Sequence, residues 1–119
     1  MSSQDDPITV FGAGYVGLVS GVCLASAGHP VTVLDVDERK LSALRDGRCP
    51  FFEPGLEELM AKATAEGVLR FALVDSVDRV SGIAMIAVGT PATATGSADM
   101  SYVRSVIELL EARAEPGTV

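Results

Sequence analysis

Gly12-Ala13-Gly14-Tyr15-Val16-Gly17 forms a G-x-G-x-x-G run, and an acid, Asp35, stands 21 residues after Gly14. These residue types at this spacing suit the holding of a dinucleotide rather than the breaking of a bond. Gly12 permits a tight turn, Gly14 lets backbone approach a pyrophosphate without a Cβ in the way, and Gly17 lets a helix pack against a strand. The N–H groups of Tyr15 and Val16 then face the phosphates, helped by the helix dipole. A carboxylate at Asp35 can accept from both hydroxyls of an adenosine ribose. It would repel the 2′-phosphate of NADP, so the sequence favours NAD. Arg39 and Lys40 are close enough to tolerate a phosphate, but the acid tips the balance. Glycine is common, and the pattern alone is weak; its weight comes from directly following a strand and opening a helix. The bland alternative is a strand–helix turn with a helix-capping aspartate.

Other reactive side chains point to no catalytic or metal site. Cys23 falls inside the first expected helix and Cys49 on a loop before Pro50, so both read as structural. His29, the sole histidine, is a turn residue beside Pro30.

The elements that must position the loop alternate from the start. Ile8–Phe11 reads as a first strand, Tyr15–Ala27 as an apolar helix, and Gly28-His29-Pro30 as its stop. Val31–Leu34 is the second strand, closed by Asp35, and Glu38–Asp46 a second helix ending at Gly47. Two prolines and a glycine keep Cys49–Gly55 irregular, and Leu56–Ala65 follows as a third helix. Leu69–Val74, interrupted by Arg70, belongs at a sheet edge. Ile83–Val88 is apolar on both faces, the pattern of a buried parallel strand. Gly89–Asp99 is a loop, with Asp99 as cap for a last helix, Ser101–Ala114, whose inward face is Val103, Val106, Ile107 and Leu110. Thr118-Val119 looks like the start of another strand. The expectation is an α/β, Rossmann-like parallel sheet in the order 3-2-1-4, cut near the start of strand five. Its fourth strand carries no charge to protect an edge, so the isolated chain is expected to self-associate into a homo-oligomer, by edge pairing or by swapping, or to have that edge covered by its final helix.

Composition narrows the class. At 119 residues and 48% hydrophobic, the chain is one domain able to bury a core. Sixteen acidic residues against 9 basic ones give a net charge of -7, which argues against nucleic acid as a partner. No apolar run reaches the roughly 18 residues of a membrane span. The polar, acidic stretch Met1–Asp6 is unlike a secretory signal, and with two cysteines this points to a cytoplasmic protein.

Three stretches resemble the UDP-glucose/GDP-mannose dehydrogenase family. They are Gly12–Leu18; Asp35, Asp37, Lys40, Leu44 and Gly47 through Pro50 and Glu53-Pro54-Gly55-Leu56; and Val88-Gly89-Thr90-Pro91 with Gly96 and Asp99. Glu-Pro-Gly-Leu and Gly-Thr-Pro are far more specific than the glycine loop, and the likeness runs from Ile8 to Val119. The resemblance implies oxidation of C6 of a nucleotide-linked hexose to a carboxylate, two hydrides passing to two NAD molecules. It implies that Val16, Asp35, Lys40 and Thr90 contact NAD. It also implies that the nucleophilic cysteine, its lysine and asparagine partners and the sugar-nucleotide domain lie beyond Val119. The chain is then the N-terminal NAD-binding part of a UDP-glucose 6-dehydrogenase-like enzyme, inactive alone, its nucleotide-sugar substrate bound only by the full-length protein. GDP-mannose and UDP-N-acetylmannosamine are alternative sugars.

A stand-alone NAD-binding module without chemistry is the competing class, and a longer reading frame would separate the two. A different NAD-dependent dehydrogenase is opposed by Glu53-Pro54-Gly55-Leu56. Glu53 itself is expected to cap a helix and is given no catalytic role.

Overall fold

The computed structural model describes residues 6–119; the remainder of the acidic stretch, Met1–Asp5, lies outside the described residues. β1 (Ile8–Phe11) leads into α1 (Tyr15–Ser26), followed by β2 (Val31–Asp35), α2 (Glu38–Arg45) and α3 (Leu56–Ala65). β3 (Leu69–Leu73), β4 (Ile83–Ile86) and α4 (Ser101–Arg113) complete the described elements. The strands are parallel, in the order β3-β2-β1-β4, as the alternation of strands and helices predicts. β3 does lie at an edge. Its side chains alternate, with Leu69 and Phe71 buried and Arg70 exposed, so one charge is tolerated without breaking the strand.

Core residues fill both faces of the sheet. Ile8, Val10, Val31 and Val33 pack with Leu18, Val22, Leu41, Leu44, Leu56 and Met60 on the α1–α3 side. Phe11, Leu34, Val80 and Val106 form the other cluster, beneath α4. Helices α1, α2 and α3 end alike, in a Schellman motif built on a left-handed glycine. In α1, Gly28 at φ 104° donates to Ala25 O and His29 donates to Leu24 O. Asp37 caps α2, its carboxylate accepting from the amides of Arg39 and Lys40, an arrangement that contributes about 1 kcal/mol.

Two expectations need correction on the β4 side. The strand ends at Ile86 rather than Val88, and it is half-exposed, with Ile83 at 37% and Ile86 at 40%. Among the described residues its outer neighbour is a single one: Val119 donates to Gly82 O and accepts from Ala84 N. The inward stripe of α4 is Val106, Leu109 and Leu110, and Ile107 faces outward at 44% exposure. Among the described residues, no helix is long and apolar enough to cross a membrane.

Candidate functional site

The three glycines of the loop answer to different demands. Gly12 has φ 109°, and a Cβ there would lie 2.6 Å from Ala87 O, so the chain's own packing requires glycine. A Cβ at Gly17 would overlap the Gly12 carbonyl oxygen, with the Ala87 side chain beyond it. Gly17 therefore closes the loop upon itself. The tight helix-to-sheet contact expected of Gly17 falls one turn later, at Gly21, where a Cβ would meet Val33 Cγ2 at 2.9 Å. Nothing in the sequence pattern flagged Gly21.

Gly14 is unlike both. Its backbone is extended, at φ -78° and ψ -168°, and among the described residues a Cβ would meet nothing within 4 Å. Neither strain nor crowding within the chain calls for glycine there. The open space lies at the N-cap of α1, whose first-turn amides have no intrahelical acceptors. A pyrophosphate fits that arrangement, because its oxygens need free N–H donors and close backbone.

The acid after β2 is bonded into the same loop. Ala13 N donates to Asp35 Oδ2 at 2.9 Å, and Asp37 N donates to Oδ1 at 3.0 Å. Lys40 Nζ stands 3.5 Å from Oδ2, pairing with a carboxylate that is only 11% exposed. Burial pushes the Asp35 carboxyl up. The amides of Ala13, Asp37 and Val36 and the Lys40 charge outweigh it, and the carboxyl sits below its ordinary value. A carboxylate offers about four lone-pair positions, so two amide bonds leave acceptor capacity for a ribose diol.

Val16 is 65% exposed on the first turn of α1. Tyr15 is beside it, but its side chain leaves the loop: the phenol donates to Glu53 Oε2 at 2.7 Å, and its ring centroid is 4.9 Å from that of Phe51. That hydrogen bond and the Glu53 charge raise the Tyr15 pKa, keeping the phenol a donor. Glu53 is thus not the helix cap the sequence led us to expect. Gly55, at φ 82°, occupies the N-cap of α3 with no side-chain bond. Thr90 is exposed, two residues beyond Val88, and Val88 Cα is within 3.1 Å of the Cβ position at Gly12. The sheet order brings Gly12–Gly17, Asp35, Lys40 and the β4 exit to the carboxyl ends of adjacent strands, where ligands of parallel sheets bind. Cys23, on α1, and Cys49 are free thiols. Asp99 accepts from Ser101 N at 2.9 Å but stands one residue ahead of the N-cap of α4, which is Met100 and makes no side-chain bond, so the expected capping role is not the one it fills.

Residues 6–119 match the UDP-glucose/GDP-mannose dehydrogenase family, NAD binding domain. The UDP-glucose 6-dehydrogenase of Rhizobium meliloti is 47% identical over 94% of this chain and 26% of its own length. A GDP-mannose 6-dehydrogenase of Pseudomonas syringae pv. tomato is 41% identical over 83% of the chain and 23% of its length. The solved UDP-glucose dehydrogenase of Pyrobaculum islandicum superposes with a TM-score of 0.75 at 41% identity, over 87% of this chain and 24% of that one. The chain spans about a quarter of the length of the curated relatives it matches. By its strand order, its glycine loop and this match along nearly its whole length, the chain belongs to the UDP-glucose/GDP-mannose dehydrogenase family and forms its NAD-binding domain.

Proposed function

We propose that this chain is the NAD-holding part of an enzyme that oxidises UDP-glucose to UDP-glucuronate, consuming two NAD for each sugar. The observation that carries the cofactor half of this reading is the open space at Gly14, beside an acid already fixed by the same loop. The pyrophosphate would lie against Gly14 and on the amides of Tyr15 and Val16, with Gly12 and Gly17 keeping the turn closed. Asp35 would accept from the adenosine ribose, with Lys40 beside it reaching the same ribose or its phosphate. Thr90 would meet the cofactor from the β4 exit. Bound NAD supplies the hydride acceptor. The residues of this chain bind and orient, and they leave the attack on the sugar to groups outside it.

UDP-glucose is taken as the substrate because UDP-glucose 6-dehydrogenases are among the relatives of this chain; GDP-mannose enzymes stand among them at overlapping identity, and the sugar itself would be read outside this chain. Titration calorimetry of the 119-residue chain tests the cofactor half of the reading. NAD is expected to bind at least about tenfold more tightly than NADP, because Asp35 repels a 2′-phosphate. Equal affinities would sink the assignment. The same preparation, supplied with UDP-glucose and NAD, is expected to produce no reduced cofactor. Sustained production would refute the division of labour.

A further inference from the structure

Glu53-Pro54-Gly55-Leu56 is among the most specific stretches of the sequence, yet the cofactor site described above does not use its glutamate. The first turn of α1 is poorly anchored from below. Tyr15 is 54% exposed, Val16 is more so, and burial begins only at Gly17 and Leu18. A turn following two closely spaced glycines and lacking buried side chains needs another restraint to hold its amides in one place.

Glu53 and Phe51 supply that restraint. The Tyr15 phenol donates to Glu53 Oε2 across 38 positions of sequence, and its ring rests against Phe51, tilted by 49°. Glu53 is held from behind, its carbonyl accepting from Leu56 N at 3.1 Å. Leu56 and Met60 are buried and pin α3 beneath the loop. The other end of the loop is drawn to the same helix, Cys49 N donating to Glu57 Oε1 at 3.4 Å.

We propose that Glu53, together with Phe51, is a positioning residue for the dinucleotide loop. It clamps the Tyr15 side chain and so fixes the amides of Tyr15 and Val16 before the cofactor arrives. Ordering these amides in advance removes a cost that binding would otherwise carry. The proposal rests on the reading that those amides meet the pyrophosphate.

Ligands of different reach test the clamp on the 119-residue chain. NAD and ADP-ribose contain the pyrophosphate, whereas adenosine engages only the Asp35 end. Tyr15→Phe and Glu53→Ala should each weaken NAD and ADP-ribose about fivefold and leave adenosine within about twofold, measured by calorimetry and NMR titration. Glu53→Gln, which retains an oxygen acceptor, should recover most of the affinity. Unchanged NAD affinity in both disruptive variants overturns the proposal, as does an equal loss for adenosine, which would mark general damage to the fold. Gly14→Val serves as the separate control. If it binds NAD normally, the pyrophosphate reading fails and the clamp with it; if it does not and the clamp variants are silent, only the clamp fails.

Discussion

The amide of Ala13 donates to Asp35 Oδ2 at 2.9 Å, so the end of β2 is bonded into the middle of the loop that follows β1. The acid proposed for the ribose is therefore also a tether of the loop proposed for the pyrophosphate, so the loss of Asp35 would disturb both.

Asp35→Ala removes a proposed ribose acceptor and leaves the Ala13 amide without its partner. NAD binding should weaken by about 1–3 kcal/mol, the usual loss for an unpaired polar group. NADP should suffer much less, because the same change removes a repelling charge. Equal losses in calorimetry would mean that Asp35 does not touch the ribose.

The Asp35 carboxyl also sets a pH dependence. Folding lowers its pKa from the model-compound value of 3.8, so its contribution to stability is present above that value and disappears as pH falls through the lower, folded value. Denaturant titrations between about pH 7 and about pH 3 should show the unmodified chain losing more stability on acidification than Asp35→Asn. Asp99 is lowered too, by its hydrogen bonds from Ser101, so the variant retains part of the slope. Superimposable profiles for the two proteins would rule out a linked carboxylate at 35.

The loop glycines should separate folding from binding. Gly14→Val puts a branched side chain into open space on extended backbone, so the fold should survive while NAD binding vanishes. Gly17→Ala drives a Cβ onto the Gly12 carbonyl and should destabilise by about 1–3 kcal/mol or more. Thermal melts by circular dichroism beside calorimetry distinguish the two. A Gly17→Ala protein as stable as the parent would contradict the packing described for the loop.

On the outer side of β4, Val119 takes up Gly82 O and Ala84 N, and strand alternation turns the Ile86 backbone outward beyond it. We expect the isolated chain to self-associate through this edge, and Ile86→Lys to reduce the association. Met85 is a worse place for the charge because it packs against the core. Light scattering with size exclusion reads the outcome. A monomer at high concentration whose β4 amides exchange slowly would show the edge to be closed.

Much of this was legible in the residues. Apolar runs of strand length between helices led to the sheet order, and the glycines after α1 and α2 marked their ends; Gly67 after α3 came only with the structure. The turn from β1 to α1 was legible because glycines directly follow an apolar strand and open a helix, and Asp35 because it closes the next strand. What escaped was contact between distant positions. No periodicity links Tyr15 to Glu53, and Glu53 before Pro54-Gly55 has the look of a local cap. The Ala13–Asp35 bond is backbone to side chain, so no residue type announces it. Gly21 was hidden inside an apolar helix, where its missing Cβ matters only once Val33 lies opposite. β4 misled because its composition is that of a central strand, whereas its outer side has one residue for a neighbour.

Gly21 has a mechanical side. It is a point at which α1 lies too close to the sheet for a side chain, and it lies seven residues from Gly14, a distance of about 10 Å along the helix. The helix is a lever with its fulcrum over Val33 and its free first-turn amides at the far end. One added methylene beneath the fulcrum, as in Val33→Ile, would tilt the arm and swing those amides through the space they are meant to serve. The volume of a core side chain far from the loop would thereby set where those amides stand.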